Sequence, residues 1–572
     1  MAAAFSAGAQ TMYDAITFST NNYYGTARTI GMGNAVTAVG GDLGSFGINP
    51  AAGSVASYSQ VTASFGFTTA SSNARFAPSY NFSTESQNFD SPGFSNSKTR
   101  MTVPNIGLNL VFAENGAGAV KAWNIGFVLN RTQTFANVMS ASGLEGRTSI
   151  TGAFATAADG MPGNILGSGD IYDKGYGWNQ VAAYDGGLIN YNYDAGTYYG
   201  SAEQKRLDAV EGKYHYEVLG DLIQKVGTTT TGSKNDLTVN YGVNINDRLF
   251  LGANLTIPII NYKYNEFFDE TAEDSDYFPV TPEFWSNRSG SYVTGDPTHY
   301  LGSTYKYSYV ADVTGANLKI GAIWLPTDGL RLGAAIQTPT AYTVHEKWFV
   351  DVNADFENSE YNASASSPTA ESTYDFLSAW SWNAGVAYTF GKFGMVSADY
   401  EMTSYKSMSF STTSEDGFSR YEDPFYQVNR LNELFCGVSH SVRLGVEVRP
   451  VPHFSFRGGF NLTTSPEKFY KDTDGYKVYA YDYDAYFNQY ERGTYKLVSG
   501  SGKYISDVVK SFSVGAGYSS KGAFYADVAV RRTILPDAQY KAYANYLDNI
   551  VSPTVAYSDK LLDAVLTIGW RF

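Results

Sequence analysis

The chain has 572 residues, of which 40 are basic and 55 acidic, giving a formal net charge of −15. So acidic a balance excludes a nucleic-acid partner, because phosphate binding needs a basic face. The lone Cys436 excludes an internal disulfide and a cysteine-based metal site, and no run of about 18 apolar residues is available to cross a membrane as a helix.

Read in chain order, the opening "MAAAFSAGAQ" predicts a signal-peptide remnant over 1–9, with Ala7-Gly8-Ala9 as a small-residue cleavage site before Gln10. Residues 10–59 follow, and their centre is "ARTIGMGNAVTAVGGDLGSFGINPAAG" (Ala27–Gly53). This stretch holds almost no large apolar side chains, so it is too small and too polar to build a core alone. Gly31-Met32-Gly33 lacks the strand–helix context of a phosphate-binding loop.

From residue 60 onward the dominant period is two. Leu562, Ala564, Leu566, Ile568, Trp570 and Phe572 alternate with Asp563, Val565, Thr567, Gly569 and Arg571. Phe524 and Val528 alternate with Tyr525 and Asp527, and Leu444 and Val446 with Arg443, Gly445 and Glu447. One face is apolar throughout, whereas the other carries charge, glycine and small polar residues. Strands are predicted near 60–70, 101–113, 121–135, 234–244, 248–269, 306–326, 330–356, 374–390, 393–411, 439–450, 454–465, 510–518, 523–534 and 561–572. Their connections alternate strictly between short ones, such as Asn244–Asp247, and long ones, such as 71–100, 136–233 and 466–509. That sidedness predicts an all-β fold: a transmembrane antiparallel barrel of fourteen strands over 60–572, with tight turns at one end and long extracellular loops at the other. A mean hydropathy of −0.24 agrees, because the two alternating faces average out. Within the barrel, residues 10–59 are expected to act as a hatch, filling a lumen wide enough to need one.

The longest loop, 136–233, is expected to be partly helical. Ser201 to Val226 has capping-box spacing at Ser201 and Gln204 and apolar recurrence at Leu207, Val210, Tyr214, Val218 and Leu222. Five histidines (His215, His299, His345, His440, His453) are scattered without metal-ligand spacing. The acidic runs from Asp269 and Asp472 lack the twelve-residue calcium-loop pattern. No catalytic constellation emerges, so neither an enzyme nor a cofactor is expected.

On these residues the chain resembles the long-chain fatty acid transporter (FadL/TodX-like) family. The resemblance lies in Ala-Arg-x-x-Gly-Met-Gly, the small-residue run, Asp42 and Asn49-Pro50-Ala51. It continues through "VPNIGLNLVF", "DRLFLGANLTIPIINY", "LRLGAAIQTPTAY" and "VRLGVEVRPVPHFSFRGGF". It implies fourteen strands, an N-terminal hatch with Gly31, Gly33, Asn49, Pro50 and Ala51, and uptake of hydrophobic small molecules without an energy source. The terminal Phe572 resembles the recognition signal of bacterial outer-membrane barrels, which implies a Gram-negative outer membrane and the barrel-assembly machinery as a partner during insertion. The resemblance further implies a side exit into the outer leaflet through an inward kink of the third strand. Here that strand ends "FVLNRTQTF", and Asn130, Arg131, Thr132 and Gln133 break the alternation. Either the segment lies above the membrane or the strand bends inward. The partners expected are outer-membrane lipid and a hydrophobic ligand. The alternative is a non-transporting barrel of the same fold, serving as a scaffold or a subunit among outer-membrane protein partners.

Overall fold

A computed structural model describes residues 12–114, 118–167, 171–172, 176–207, 212–286, 289–412, 423–467, 469–471, 477–478, 496–498 and 508–572. Fourteen antiparallel staves form the wall. They are β1 (Gln60–Ala77), β2 (Phe94–Ala113), β3 (Val120–Glu145), β4 (Leu222–Ile245), β5 (Leu249–Ala272), β6 (Thr298–Trp324) and β7 (Leu330–Gln337, Ala341–Phe356). The others are β8 (Ala370–Leu377, Trp380–Thr389), β9 (Gly394–Ser404, Ser409–Thr412), β10 (Val438–Val451), β11 (Phe454–Thr464), β12 (Val508–Ser519), β13 (Phe524–Ile534) and β14 (Thr554–Arg571). Each pairs with the next, and β14 closes onto β1 from Gln60↔Arg571 to Ala77↔Thr554. Closure leaves no terminal edge strand.

The alternation decides which face points where. Leu562, Leu566, Val528, Leu444 and Val446 are exposed on the outside, whereas Asp563, Thr567, Asp527, Arg443 and Glu447 are buried in the lumen. The outer row continues around the wall through Phe67, Phe127, Leu237, Leu255, Ile259, Ile320 and Phe512. Exposed aromatics collect near the short turns: Phe112, stacked on half-buried Trp123 at 4.2 Å, with Trp324, Phe393, Tyr518 and Trp570. An apolar belt with an aromatic girdle is the surface a barrel presents to lipid. The turns are tight for a local reason. Asn246 and Asp247 take φ of 53° and 55°, the left-handed pair a two-residue hairpin requires, and Asn244 Nδ2 donates to Asp247 Oδ1 at 2.7 Å.

The staves outgrow a bilayer, for which about 9–11 residues suffice. β3 and β4 stay paired up to Glu145↔Leu222, so the expected loop 136–233 shrinks to 146–221. Its helices are α3 (Ile150–Ala158), α4 (Gly163–Leu166) and α5 (Trp178–Asp185). The helix expected over Ser201–Val226 is absent from the described residues of that stretch. Gln204–Leu207 and Tyr214–Glu217 instead form a hairpin, and Leu222–Val226 are the top of β4. Cross-strand pairing to β3 and β5 satisfies these backbones, and it overrides a helical spacing that had only local support. The signal-peptide remnant over 1–9 and most of the acidic run from Asp472 lie outside the described residues.

The N-terminal segment enters the lumen. α1 (Met12–Ser19) lies among aromatics toward the long-loop end, and α2 (Ala27–Gly31) rests on β11, β12 and β13. A 3-10 turn over Pro50–Val55 reaches the short-turn end against β4, β5 and β6.

Candidate functional site

The lower lumen is a polar socket that matches the backbone of residues 22–53. A segment without large side chains cannot bury apolar area, so its peptide groups must be satisfied by the wall. Asn240 Nδ2 donates to Pro50 O at 2.8 Å and Asn254 Nδ2 to Phe46 O at 2.8 Å. Lys319 Nζ donates to Gly47 O at 2.6 Å, Arg331 to Val39 O at 2.7 Å and Asn383 to Ile48 O at 3.0 Å. Asp399 accepts from Thr37 N at 2.8 Å and Thr567 Oγ1 from Ala27 N at 2.7 Å. Glu447, fully buried, accepts from Arg28 of the segment at 3.0 Å and from Arg457 of the wall at 2.8 Å. Arg457 also reaches Asp527 at 2.6 Å.

Small residues let the two backbones approach. A Cβ at Gly459 would lie 2.0 Å from Gly33 N, and one at Gly252 would lie 2.3 Å from Pro50 O. Gly33 itself has φ of +64° and abuts β11, and Gly31 packs beside the Arg457 stem. Asn49 is extended (φ −135°) and fully buried. Its Oδ1 accepts from Ala51 N at 3.0 Å, while Nδ2 donates to Thr37 O at 2.7 Å and to Ala322 O of β6 at 3.1 Å. Pro50 opens the 3-10 turn, where its missing N–H costs nothing. Phe572 lies at the rim, exposed, with its N–H donated to Ser59 O at 2.9 Å.

The third stave departs from the wall. β2 and β3 pair from Ala113↔Ala122 only as far as Asn105↔Asn130. β2 nevertheless stays paired to β1 up to Ala74↔Phe94, and β3 to β4 up to Glu145↔Leu222. A bulge at Thr132 shifts the β3–β4 register, and above it β3 turns inward. Phe135 and Met139 join the buried cluster, and Phe76 of β1 packs on Gly143. The N-terminal segment holds the bend, because Tyr24 N donates to Arg131 O at 2.9 Å and Asn22 N to Thr132 O at 2.7 Å. Asn22 Nδ2 donates to Gln133 Oε1 at 2.6 Å, and Asn130 receives Asn105 Nδ2 at 2.7 Å. Asn130, Arg131, Thr132 and Gln133 therefore sit together at the foot of a window between β2 and β3. The window is crossed at its top by Asn96 Nδ2 donating to Ser140 Oγ at 2.9 Å. It opens within the apolar belt, since Phe67 and Met101, both exposed outside, pair above the last β2–β3 rung.

Above the socket the lumen is aromatic. Tyr262, Tyr305, Tyr309, Tyr342, Trp348 and Phe376 belong to one buried cluster with Phe18, whose ring meets Tyr262 edge-on at 6.1 Å and Phe376 at 6.4 Å. α3 and α5 roof this cluster. Ser149, the N-cap of α3, donates to Glu270 Oε1 at 2.5 Å, and its N–H is donated to the Tyr546 hydroxyl at 2.9 Å. In the roof, burial pushes the Glu203 carboxyl up to about 7, against the opposing Gly200 N–H. Burial also lifts Asp185 to about 6. Between Ser19–Tyr23, Lys234 of β4 and staves β7 to β11 a polar cavity of about 40 Å³ has room for little more than water. Among the described residues no three His, Cys, Asp or Glu side chains are placed to hold a metal.

Sequence reasoning missed the inward asparagines of the socket. Asn109, Asn124, Asn240 and Asn254 recur at inward positions of successive staves, a signal that was available.

No family model matches the chain, and no curated protein matches it. Solved structures similar to it include the toluene transporter TodX of Pseudomonas putida, at 11% identity over 96% of this chain and 99% of that one, TM-score 0.43. A FadL homologue of Pseudomonas aeruginosa is 12% identical over 97% of this chain and 98% of its own, TM-score 0.44. The Ralstonia pickettii toluene transporter TbuX is 12% identical over 96% and 99%, TM-score 0.40.

Proposed function

We propose that this barrel sits in a Gram-negative outer membrane and passes hydrophobic or amphipathic small molecules inward from outside. In this reading residues 10–59 are a hatch that blocks the axial path, and the molecule leaves sideways through the β2–β3 window. The chain is read as a relative of the FadL/TodX-like transporters, with fatty acids among its candidate ligands. The observation that carries the reading is the end of the β2–β3 ladder at Asn105↔Asn130, inside the apolar belt. A strand edge left unpaired at that depth is costly, and a passage is a reason to keep it. The polar socket supports the same direction, because an apolar molecule gains nothing by crossing charged, hydrogen-bonded groups. Photo-crosslinking from position 130 or 132 with a diazirine-bearing palmitate tests the route. Labelling by the fatty acid supports lateral exit, and labelling by aqueous reagents alone rejects it.

A second reading has one observation in its favour. The aromatic cluster and the α3–α5 roof fill the mouth, as suits a non-transporting scaffold or a partner subunit. Uptake of the same palmitate by vesicles containing the barrel separates the two, since a scaffold adds none.

A further inference from the structure

We propose that the β2–β3 window is a binding site for the phosphorylated headgroup of a membrane lipid, held by Lys98 and Arg100. The inference rests on the barrel lying in a membrane and not on transport. Charge is its first support. Arg100 and Lys98 lie opposite Thr68 and Ala70, which face inward, so both share the lumenal face of β2. There the β2–β3 ladder has ended, and Lys98 is exposed and Arg100 half-buried. Neither has a hydrogen-bond or ion-pair partner among the described residues. Other inward cations of the barrel are engaged: Arg443 with Glu401, Arg457 with Glu447 and Asp527, Arg531 with Asp563, and Lys234 and Lys319 with carbonyls of the N-terminal segment. The lumenal carboxylates of β14 near the window have partners of their own, although one oxygen of Asp559 has none among the described residues. Asp563 is taken by Arg531 and Thr68, and Asp559 by Asn137. Two adjacent cations with no partner on this face leave a place for an anion from outside the chain.

Depth identifies which anion. Thr99, between the two cations, pairs with Thr69, which pairs with Leu562, the last apolar residue of the outward row on β14. The next outward residue there is Lys560, and Arg532 of β13 faces outward opposite Leu562. Outward residues of β2 above Met101 are Thr99, Ser97 and Ser95. The cations thus stand where the apolar belt ends, at headgroup level, with Met101 (70% exposed) and Phe67 (56% exposed) just below for an acyl chain. Backbone supplies further donors. On its window side β2 has no strand partner above Asn105, so alternate N–H groups of residues 97–103 point into the gap. A phosphate offers several acceptor oxygens to such donors, and an arginine and a lysine together suit it. A bound headgroup would also seal a gap that lipid tails cannot, because tails leave those N–H groups unsatisfied.

Native mass spectrometry of the full-length protein in detergent tests this, with palmitoyl-oleoyl phosphatidylglycerol, the matching phosphatidylcholine and oleate as probes. Wild-type protein is expected to retain phosphatidylglycerol, more weakly phosphatidylcholine, and to lose neither to an equal concentration of oleate. K98Q/R100Q should weaken phosphatidylglycerol roughly 30-fold, at about 1 kcal/mol per cation, and K98R/R100K should restore it. Lys98 is exposed and Arg100 half-buried, and heat-modified gel mobility verifies that the double variant is folded. Unchanged retention in folded K98Q/R100Q overturns the proposal. Displacement by equimolar oleate also overturns it, assigning the cations to a carboxylate cargo instead. Palmitate uptake, measured separately, fails only if the transport reading fails.

Discussion

Glu203 offers a test of how the roof is held down. Its side chain is 4% exposed. One oxygen accepts from Gly200 N at 2.8 Å, and Gly152 of α3 and the Tyr546 ring lie against the carboxylate. Removal from water lifts the group from 4.5 to about 7; Glu270 and Asp159 add to the rise, while Gly200 N–H and Tyr546 oppose it. In an opened roof the group returns to water and titrates near 4.5. Below that pH it is neutral in both states and contributes no pH dependence. Between 4.5 and 7 the open state ionises first, so closure weakens as pH rises, and above 7 the loss is constant. At about 1.4 kcal/mol per decade the total is about 3.5 kcal/mol, or roughly 300-fold in the opening equilibrium. Hydrogen exchange, corrected for intrinsic rates, should show protection of residues 150–158 and 197–203 falling roughly 100-fold from pH 4.5 to pH 8. In Glu203→Gln it should stay level. An equal fall in the variant, or protection that rises with pH, would refute the reasoning.

Leu444→Arg places a charge on the lipid face near mid-belt and should cost about 2–4 kcal/mol in urea unfolding from liposomes, whereas Thr567→Ser on the lumenal face should cost far less; similar losses would mean the faces are misassigned. Removing residues 10–53 should leave a folded barrel that leaks small solutes from proteoliposomes, and an unchanged leak would sink the hatch. Glu447→Ala leaves Arg28 without its carboxylate, a change worth about 3–5 kcal/mol for a buried pair, while Arg457 keeps Asp527. Protease nicking of the segment near Arg28 should therefore rise in intact vesicles, and resistance equal to wild type would show that the backbone contacts hold it alone.

The wall was legible because a stave repeats one instruction, apolar then polar, over more residues than chance supplies, and because loop lengths sort the two ends. Leu444 and Arg443 could be assigned to faces from the pattern alone. The helix expected over Ser201–Val226 failed for the converse reason. Its spacing was local, but Leu222–Val226 had partners on β3 and β5 that the sequence separates from them by dozens of residues. The N-terminal segment was legible by what it lacked, since a stretch without core-forming side chains needs donors supplied from elsewhere. The identity of those donors was less so. Asn240, Asn254 and Lys319 look like ordinary lumenal residues until the Pro50, Phe46 and Gly47 carbonyls are placed against them.

The bend of β3 shows where pattern reading stops. Asn130 to Gln133 announced that something changes, yet four polar residues are equally compatible with a strand that has risen into water. The structural cause is one bulged residue, Thr132, and a single insertion leaves no periodic trace. Its consequence also falls on another stave. β2 keeps its pairing to β1 and loses only its other edge, so Lys98 and Arg100 become available through a change in β3. In the sequence they sit in "SNSKTRMTV", which reads as the fringe of a loop. Residues whose role depends on an absent neighbour cannot be recognised from their own surroundings in the chain. They appear only once each rung of the wall is followed and one is found to stop.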